Sequence, residues 1–188
     1  MKSSPSTTPL LDHVFEEHLE HYGEPDMHYP FVDESGKMPR LDVFVWHPKG
    51  DAPMTTFTTV GMSKLTTDDR AELHWTVRGL LWQDTEANAA AFLASLACFP
   101  IMRKMPLKTW HIVKNLAIPV FTKCSSVLMH PALTEGAWDL IRFGSQSIHL
   151  HNIIPLTSDE TEQALSKGVA DALNDMYMKK IDIFSDRP

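Results

Sequence analysis

The chain has 188 residues, 43% hydrophobic and 22% charged, with a formal net charge of −7 when its ten histidines are neutral. This is the composition of a soluble, one-domain globular protein that needs neither a disulfide nor a structural metal to bury a core. Its basic residues are scattered, which argues against a phosphate-backbone ligand, and an acidic surface favours a basic protein partner as well as solubility.

Residues 1–9 hold three serines, two threonines and two prolines and are expected to form a disordered lead-in, with the domain over 10–188. They lack the apolar core of a signal peptide, and no run has the length and apolarity of a membrane span. The expected location is therefore the cytoplasm. A helix is expected over 10–22, because Leu11, Val14, Phe15, Leu19 and Tyr22 recur at three- and four-residue steps, and Gly23 and Pro25 stop it. His13, His18 and His21 lie among Glu16, Glu17 and Glu20 and are expected on its solvated side. Two imidazoles one turn apart fall short of a zinc site. Residues 27–40, broken by Pro30, Gly36 and Pro39, read as loop with a short extended piece.

Leu41, Val43 and Val45 alternate with Asp42, Phe44 and Trp46, giving a strand with one aliphatic and one mixed face. Residues 47–51 look like a hairpin connection to a strand over 55–60, where Thr, Phe and Val suit a pleated surface. Gly61 ends that strand, a polar loop follows, and Leu73, Trp75 and Val77 mark another strand over 71–78. Arg70 and Glu72 stand two apart, so they face one side and can position each other or a loop. Asp84 or Thr85 is placed to cap a helix over 86–99, apolar almost all the way round and ended by Pro100.

Between 101 and 132 the pattern is weak, with short strands at 110–113 and 126–129, and 134–141 suggests a short helix. Residues 148–154 form the clearest late strand, and Pro155 opens the final helix over 158–177. Thr157 and Glu160 stand at capping-box spacing there, ahead of a stripe of Leu165, Val169, Ala172, Leu173 and Met176. Strands broken by separated helices predict an α+β or α/β fold with one mixed β-sheet flanked by helices.

Catalytic motifs are sparse. The chain has no G-x-G-x-x-G and no P-loop, and Gly61-Met62-Ser63 lacks the nucleophile-elbow pattern. On a strand, His149 and His151 point to one face, where a neighbouring strand would have to add a third metal ligand. The plainer reading is a pair of hydrogen-bonding histidines. Cys98 reads as a small buried hydrophobe, whereas Cys124 has Lys123 beside it, a neighbour that lowers a thiol pKa. A metal- or thiol-dependent enzyme using His149/His151 or Cys124 is thus one alternative. No cofactor is expected.

The segment from Met54 to Leu73, with T-V-G-M-S followed by R-A-E-L, resembles the suppressor of fused family. Gly23-Glu24-Pro25-Asp26, Asp42-Val43-Phe44-Val45-Trp46 and Ile153-Ile154-Pro155-Leu156-Thr157 agree with it, so the resemblance runs from about His13 to Met176. It implies a non-catalytic protein-binding domain. Gly61, Met62, Ser63, Arg70, Glu72 and Pro155 become family-motif positions of structural or partner-binding role. Animal members restrain zinc-finger transcription factors of the Hedgehog pathway and carry a second, C-terminal domain. Short single-domain members look like bacterial proteins proposed to act as immunity proteins that neutralise toxins. The resemblance therefore implies a protein partner, such as a toxin or other basic protein. A structural module of a larger assembly is a further alternative.

Overall fold

The alternation along Leu41–Trp46 recurs in the strands beside it, and the two faces it creates organise the molecule. The computed structural model describes residues 8–32, 40–49, 53–65, 69–131 and 138–187. Within them run β1 (Met27–Phe31), β2 (Leu41–Trp46), β3 (Met54–Val60), β4 (Ala71–Arg78), β5 (Ile112–Lys114), β6 (Cys124–His130), β7 (Leu140–Phe143) and β8 (Gln146–Thr157). They form one sheet in the order β1-β2-β3-β4-β8-β6-β5, with β7 folded back onto the start of β8. The β4–β8 pair is parallel, with Ala71 opposite His149, and the other pairs are antiparallel. The fold is α+β, with a mixed sheet between helical layers.

Leu41, Val43 and Val45 join Phe57, Leu73, Trp75 and Val77 on the face covered by α2 (Gln83–Ala97). Ala89, Ala90, Ala94 and Ala97 of that helix are small enough for close approach, and Leu93 and Leu96 fill the space between them. The opposite face presents Phe44, Trp46, Val60, Ile148 and Leu150 to Leu11 and Val14 of α1 (Pro9–Tyr22). Further along β8 on that side, Ile154 and Leu156 are covered by α4 (Ser158–Lys167) and α5 (Val169–Met178), with Met176 buried among them.

Several expected boundaries move. The helix after β4 starts at Gln83, with Trp82 in the N-cap position, so neither Asp84 nor Thr85 caps it. It is not apolar all round, because Asn88 and Ser95 face solvent. Pro100 does not end a helix. It lies in the first turn of α3 (Phe99–Arg103), where the missing N–H needs no partner. The helix expected over 134–141 is instead β7 from Leu140, turned by Gly144 at φ +58, while 134–137 lie outside the described residues. The final helix breaks at Gly168 (φ +103), and the break leaves Leu165 exposed instead of on the buried stripe. Pro155 belongs to β8, and the Thr157–Glu160 capping box follows it as expected. Of the expected lead-in, 1–7 lie outside the described residues and Pro9 already opens α1; residues 33–39, 50 and 51 of the two expected loops also lie outside.

Candidate partner-binding site

The residues singled out between Gly61 and Glu72 come together in one hydrogen-bonded knot. Glu72 is fully buried on β4. Its Oε1 accepts the backbone N–H groups of Gly61 and Ser63 at 3.0 Å each, and its Oε2 accepts Met62 N at 3.2 Å and Thr59 Oγ1 at 2.6 Å. Burial raises the carboxyl pKa, and the donors from Thr59, Ser63 and Gly61 oppose that shift. Gly61 is required here on two counts: its φ is +133, and a Cβ would stand 3.0 Å from the Arg40 carbonyl oxygen. Arg70 Nη1 donates to the Ser63 carbonyl, so Arg70 and Glu72 grip the same turn without pairing to each other. A carboxylate committed to four donors orders a loop and is not poised for proton transfer. Pro155 lies apart from this knot, opposite Val127 in the sheet, and its carbonyl accepts Arg187 Nη2 at 2.9 Å.

The histidines divide differently from the sequence expectation. His18 is not on a solvated side; it is buried beneath α1. Its Nδ1–H donates to the Val14 carbonyl at 2.6 Å, which leaves Nε2 as acceptor for His74 Nε2–H at 2.9 Å. His74 Nδ1 in turn faces the Tyr22 hydroxyl at 3.5 Å. Burial pushes His18 down to about 4 and His74 well below the ordinary imidazole value. Trp46 and Trp138 pack around His18. The sequence carried a signal for this, since His18 follows Leu11 and Val14 at helical steps of seven and four.

His149 and His151 do share a face, with parallel rings 6.2 Å apart. His149 is exposed, while His151 is buried and pushed down to about 4 by that burial. Among the described residues no group of three or more His, Cys, Asp or Glu side chains is placed to hold a metal ion. Cys124 is buried at the start of β6, and burial pushes its thiol up to about 11, opposite to the activation expected from Lys123. The Lys123 side chain is exposed, so it does not offset the desolvation of the sulfur. Cys98 is only half-buried, and burial raises its pKa too. Neither cysteine has the character of an activated nucleophile.

The sheet edges differ in what they offer. At one end, β1 carries Pro30, which has no N–H to donate. Two buried carboxylates sit near that end: Asp42 accepts His28 Nε2 at 2.6 Å and the Arg40 guanidinium, and Glu86 accepts the Tyr29 hydroxyl at 2.8 Å and His47 Nε2 at 2.6 Å. On β7, the Arg142 carbonyl is taken by His13. At the other end, among the described residues, β5 pairs with β6 alone. Beside it lies a groove of about 400 Å³ lined by Lys114, Asn115, Ser126, Thr161 and Leu165, between the edge strand and α4. Sequence reasoning placed a short strand at 110–113 but not its position at the sheet edge, because 101–132 carries little periodic signal. No helix among the described residues is long and apolar enough to cross a membrane.

Residues 37–186 match the suppressor of fused protein (SUFU) family. Comparison with curated proteins finds no match. Among solved structures, a SUFU homolog from Neisseria gonorrhoeae is similar at a TM-score of 0.72 and 12% identity, over 95% of each chain. A chain of the Sufu–Fu complex is similar at 0.63 and 14% identity, over 97% of this chain and 86% of that one. Drosophila Suppressor of Fused is similar at 0.63 and 14% identity, over 92% of this chain but 46% of that one. Identities this low show a shared fold, and the family match covers most of the sequence. The chain belongs to the suppressor of fused family.

Proposed function

We propose that this protein works by stoichiometric binding of a protein partner and has no turnover of its own. The observation that carries this is β5, an edge strand that among the described residues is paired on one side only, without proline, beside an open groove. An extended segment laid along such an edge gains main-chain hydrogen bonds, and the groove supplies side-chain contacts. The related Sufu chain solved in a complex with Fu supports protein binding as a mode open to this fold. The knot around Glu72 and the raised Cys124 pKa support a non-catalytic reading, since neither holds an activated group. We place the protein in the cytoplasm of a bacterium and assign it an immunity-like role, in which it neutralises a partner such as a toxin by sequestering it.

Co-purification from the native cell, followed by titration calorimetry against the recovered protein, tests the proposal. Saturation near one-to-one, with slowed amide exchange along β5, is the expected result. Metal-dependent turnover of a small substrate with no recovered partner would overturn it in favour of the His149/His151 or Cys124 enzyme.

A further inference from the structure

The two faces of the sheet reach β5 with different surroundings. Along the strand, Ile112 packs with the α4–α5 layer and Val113 with the α2 layer, as the period of two requires. Lys114 then lines the groove beside α4. Leu116 packs against the α2 layer, and its N–H donates to the Ser125 carbonyl at 2.9 Å, which prolongs the β5–β6 pairing beyond the strand. It lines a second groove, of about 850 Å³, on the α2 side. Ser125 borders both grooves, so the end of this hairpin is the wall between them.

The two grooves differ in charge. The second is formed by Ala91, Phe92 and Ser95, which share one stripe of α2, and by Leu116, Ile118 and Phe121 across from them. Among the described residues no charged side chain lines it. The hydroxyls of Ser95 and Thr122 at this groove already donate to the Ala91 carbonyl and to Asp186, so the surface left is mainly apolar. The groove beside α4 is bipolar instead. Lys114 and Glu162 both line it and are exposed, and among the described residues neither is in an ion pair. A partner carboxylate there would meet Glu162 as well as Lys114, and an ammonium would meet Lys114 as well as Glu162. An amide answers both, because its carbonyl accepts from the lysine while its NH2 donates to the carboxylate.

A strand laid along β5 presents its side chains to the two grooves in alternation, one residue to each face. We infer that the β5 edge takes an extended, uncharged segment of its protein partner, with Asn or Gln side chains toward α4 and apolar side chains toward α2. This rests on the edge-docking reading above and specifies the partner's chemistry. The acidic total of the chain does not decide this contact. The groove beside α4 presents one charge of each sign, and the groove beside α2 presents none among the described residues.

The test is selection of a displayed library of random twelve-residue peptides on the full chain, with hydrogen exchange of the complexes. Enriched peptides are expected to alternate apolar residues with Asn or Gln, to carry little net charge, and to slow exchange at residues 112–114. Lys114→Glu and Glu162→Lys should each weaken them roughly tenfold, the scale of one hydrogen bond to a charged group. The double exchange K114E/E162K should restore binding, since an amide turned over serves the reversed pair. Ser95→Glu, which sets a charge at the α2 groove, should weaken binding by a similar factor. Circular dichroism checks that these surface variants remain folded. Peptides that protect β5 but carry net charge, or whose affinity is indifferent to these variants, would overturn the inference and leave edge docking standing. Peptides that bind without protecting β5 would overturn both, as would a selection that enriches nothing above an unrelated protein. A chain that dimerises with its own β5 protected would show a second copy as the occupant and overturn the inference.

Discussion

The half of the sheet from β1 to β4 and its β5 edge are built on opposite plans. From β1 to β4 each buried carboxylate is tied down: Glu72 by a turn of backbone, Asp42 by His28 and Arg40, Glu86 by Tyr29 and His47. Toward β5 the charges stand in solvent, and the outermost strand is three residues long with one side unpaired among the described residues. The recognisable motif joins β3 to β4 in the middle of the sheet, and the proposed work belongs to the β5 edge. A buried carboxylate has few ways of being satisfied, so it fixes particular residues in particular places. An edge strand binds through backbone groups, which many different side chains leave available. Family motifs can therefore mark what holds a domain together and say little about where it acts.

The sharpest way to break this contrast is Glu72→Ala. It strips three buried N–H groups and the Thr59 hydroxyl of their acceptor. The expected loss is about 3–5 kcal/mol, read as a fall in the denaturation midpoint. A loss below about 1 kcal/mol would show that the loop relaxes onto water and that the join of β3 and β4 is not locked.

Acid should weaken the molecule from its core. The unfolded chain protonates His18 and His151 near 6.5, but the folded chain keeps them neutral until about 4. The stability they contribute is complete above pH 6.5 and is lost as pH falls through the folded value. For fully buried His18 the loss reaches about 3 kcal/mol by pH 4, and His74, also held neutral by burial, adds to it. Midpoints measured from pH 7 to 4 should fall, and His18→Gln should flatten the curve while lowering the plateau. A wild-type curve without slope would mean that α1 does not seal the histidine pair.

Periodicity and caps decide how much of this is legible in the sequence. β2, β3, β4 and β8 could be read because their alternation is local, and so could α1 and the capping box at Thr157. The break at Gly168 went unread, since an isolated glycine within a helical stripe is ordinarily tolerated. The motif residues from Gly61 to Glu72 were visible as a pattern, but their joint hydrogen bonding was not, because a carboxylate reaching back across a loop has no periodic signature. Its glutamate neighbours point His18 to solvent, although its helical step from Val14 places it inside. A strand at 110–113 is legible, but its place at the sheet edge is not: a short strand among prolines carries too few alternations to fix its neighbours.

Thr157→Ala tests a local feature that both sequence and structure identify. Its hydroxyl accepts Glu160 N at 3.2 Å, and Glu160 returns a bond to Thr157 N at 2.8 Å. Loss of the cap should cost about 0.5–2 kcal/mol, less than Glu72→Ala. An unchanged midpoint would mean that Arg187, which also holds Glu160 at 3.0 Å, anchors the helix start without the threonine.

The smallest expected change in stability sharpens the comparison most from the other side. Lys114 is exposed at the end of β5 and lines the groove beside it. Lys114→Glu should shift the denaturation midpoint by less than about 0.5 kcal/mol, the usual range for a surface position with no buried contacts. Its effect should appear in association, where the groups that Lys114 meets decide and not the total charge. If the partner sets an amide against Lys114, the variant binds more weakly than wild type at low and high salt alike. If the overall charge governs the encounter, one more negative group among many should hardly matter, or should slightly help a basic partner. Calorimetry at two salt concentrations separates these outcomes. A substitution that leaves folding intact and changes binding would place function at the end of the sheet that carries no motif.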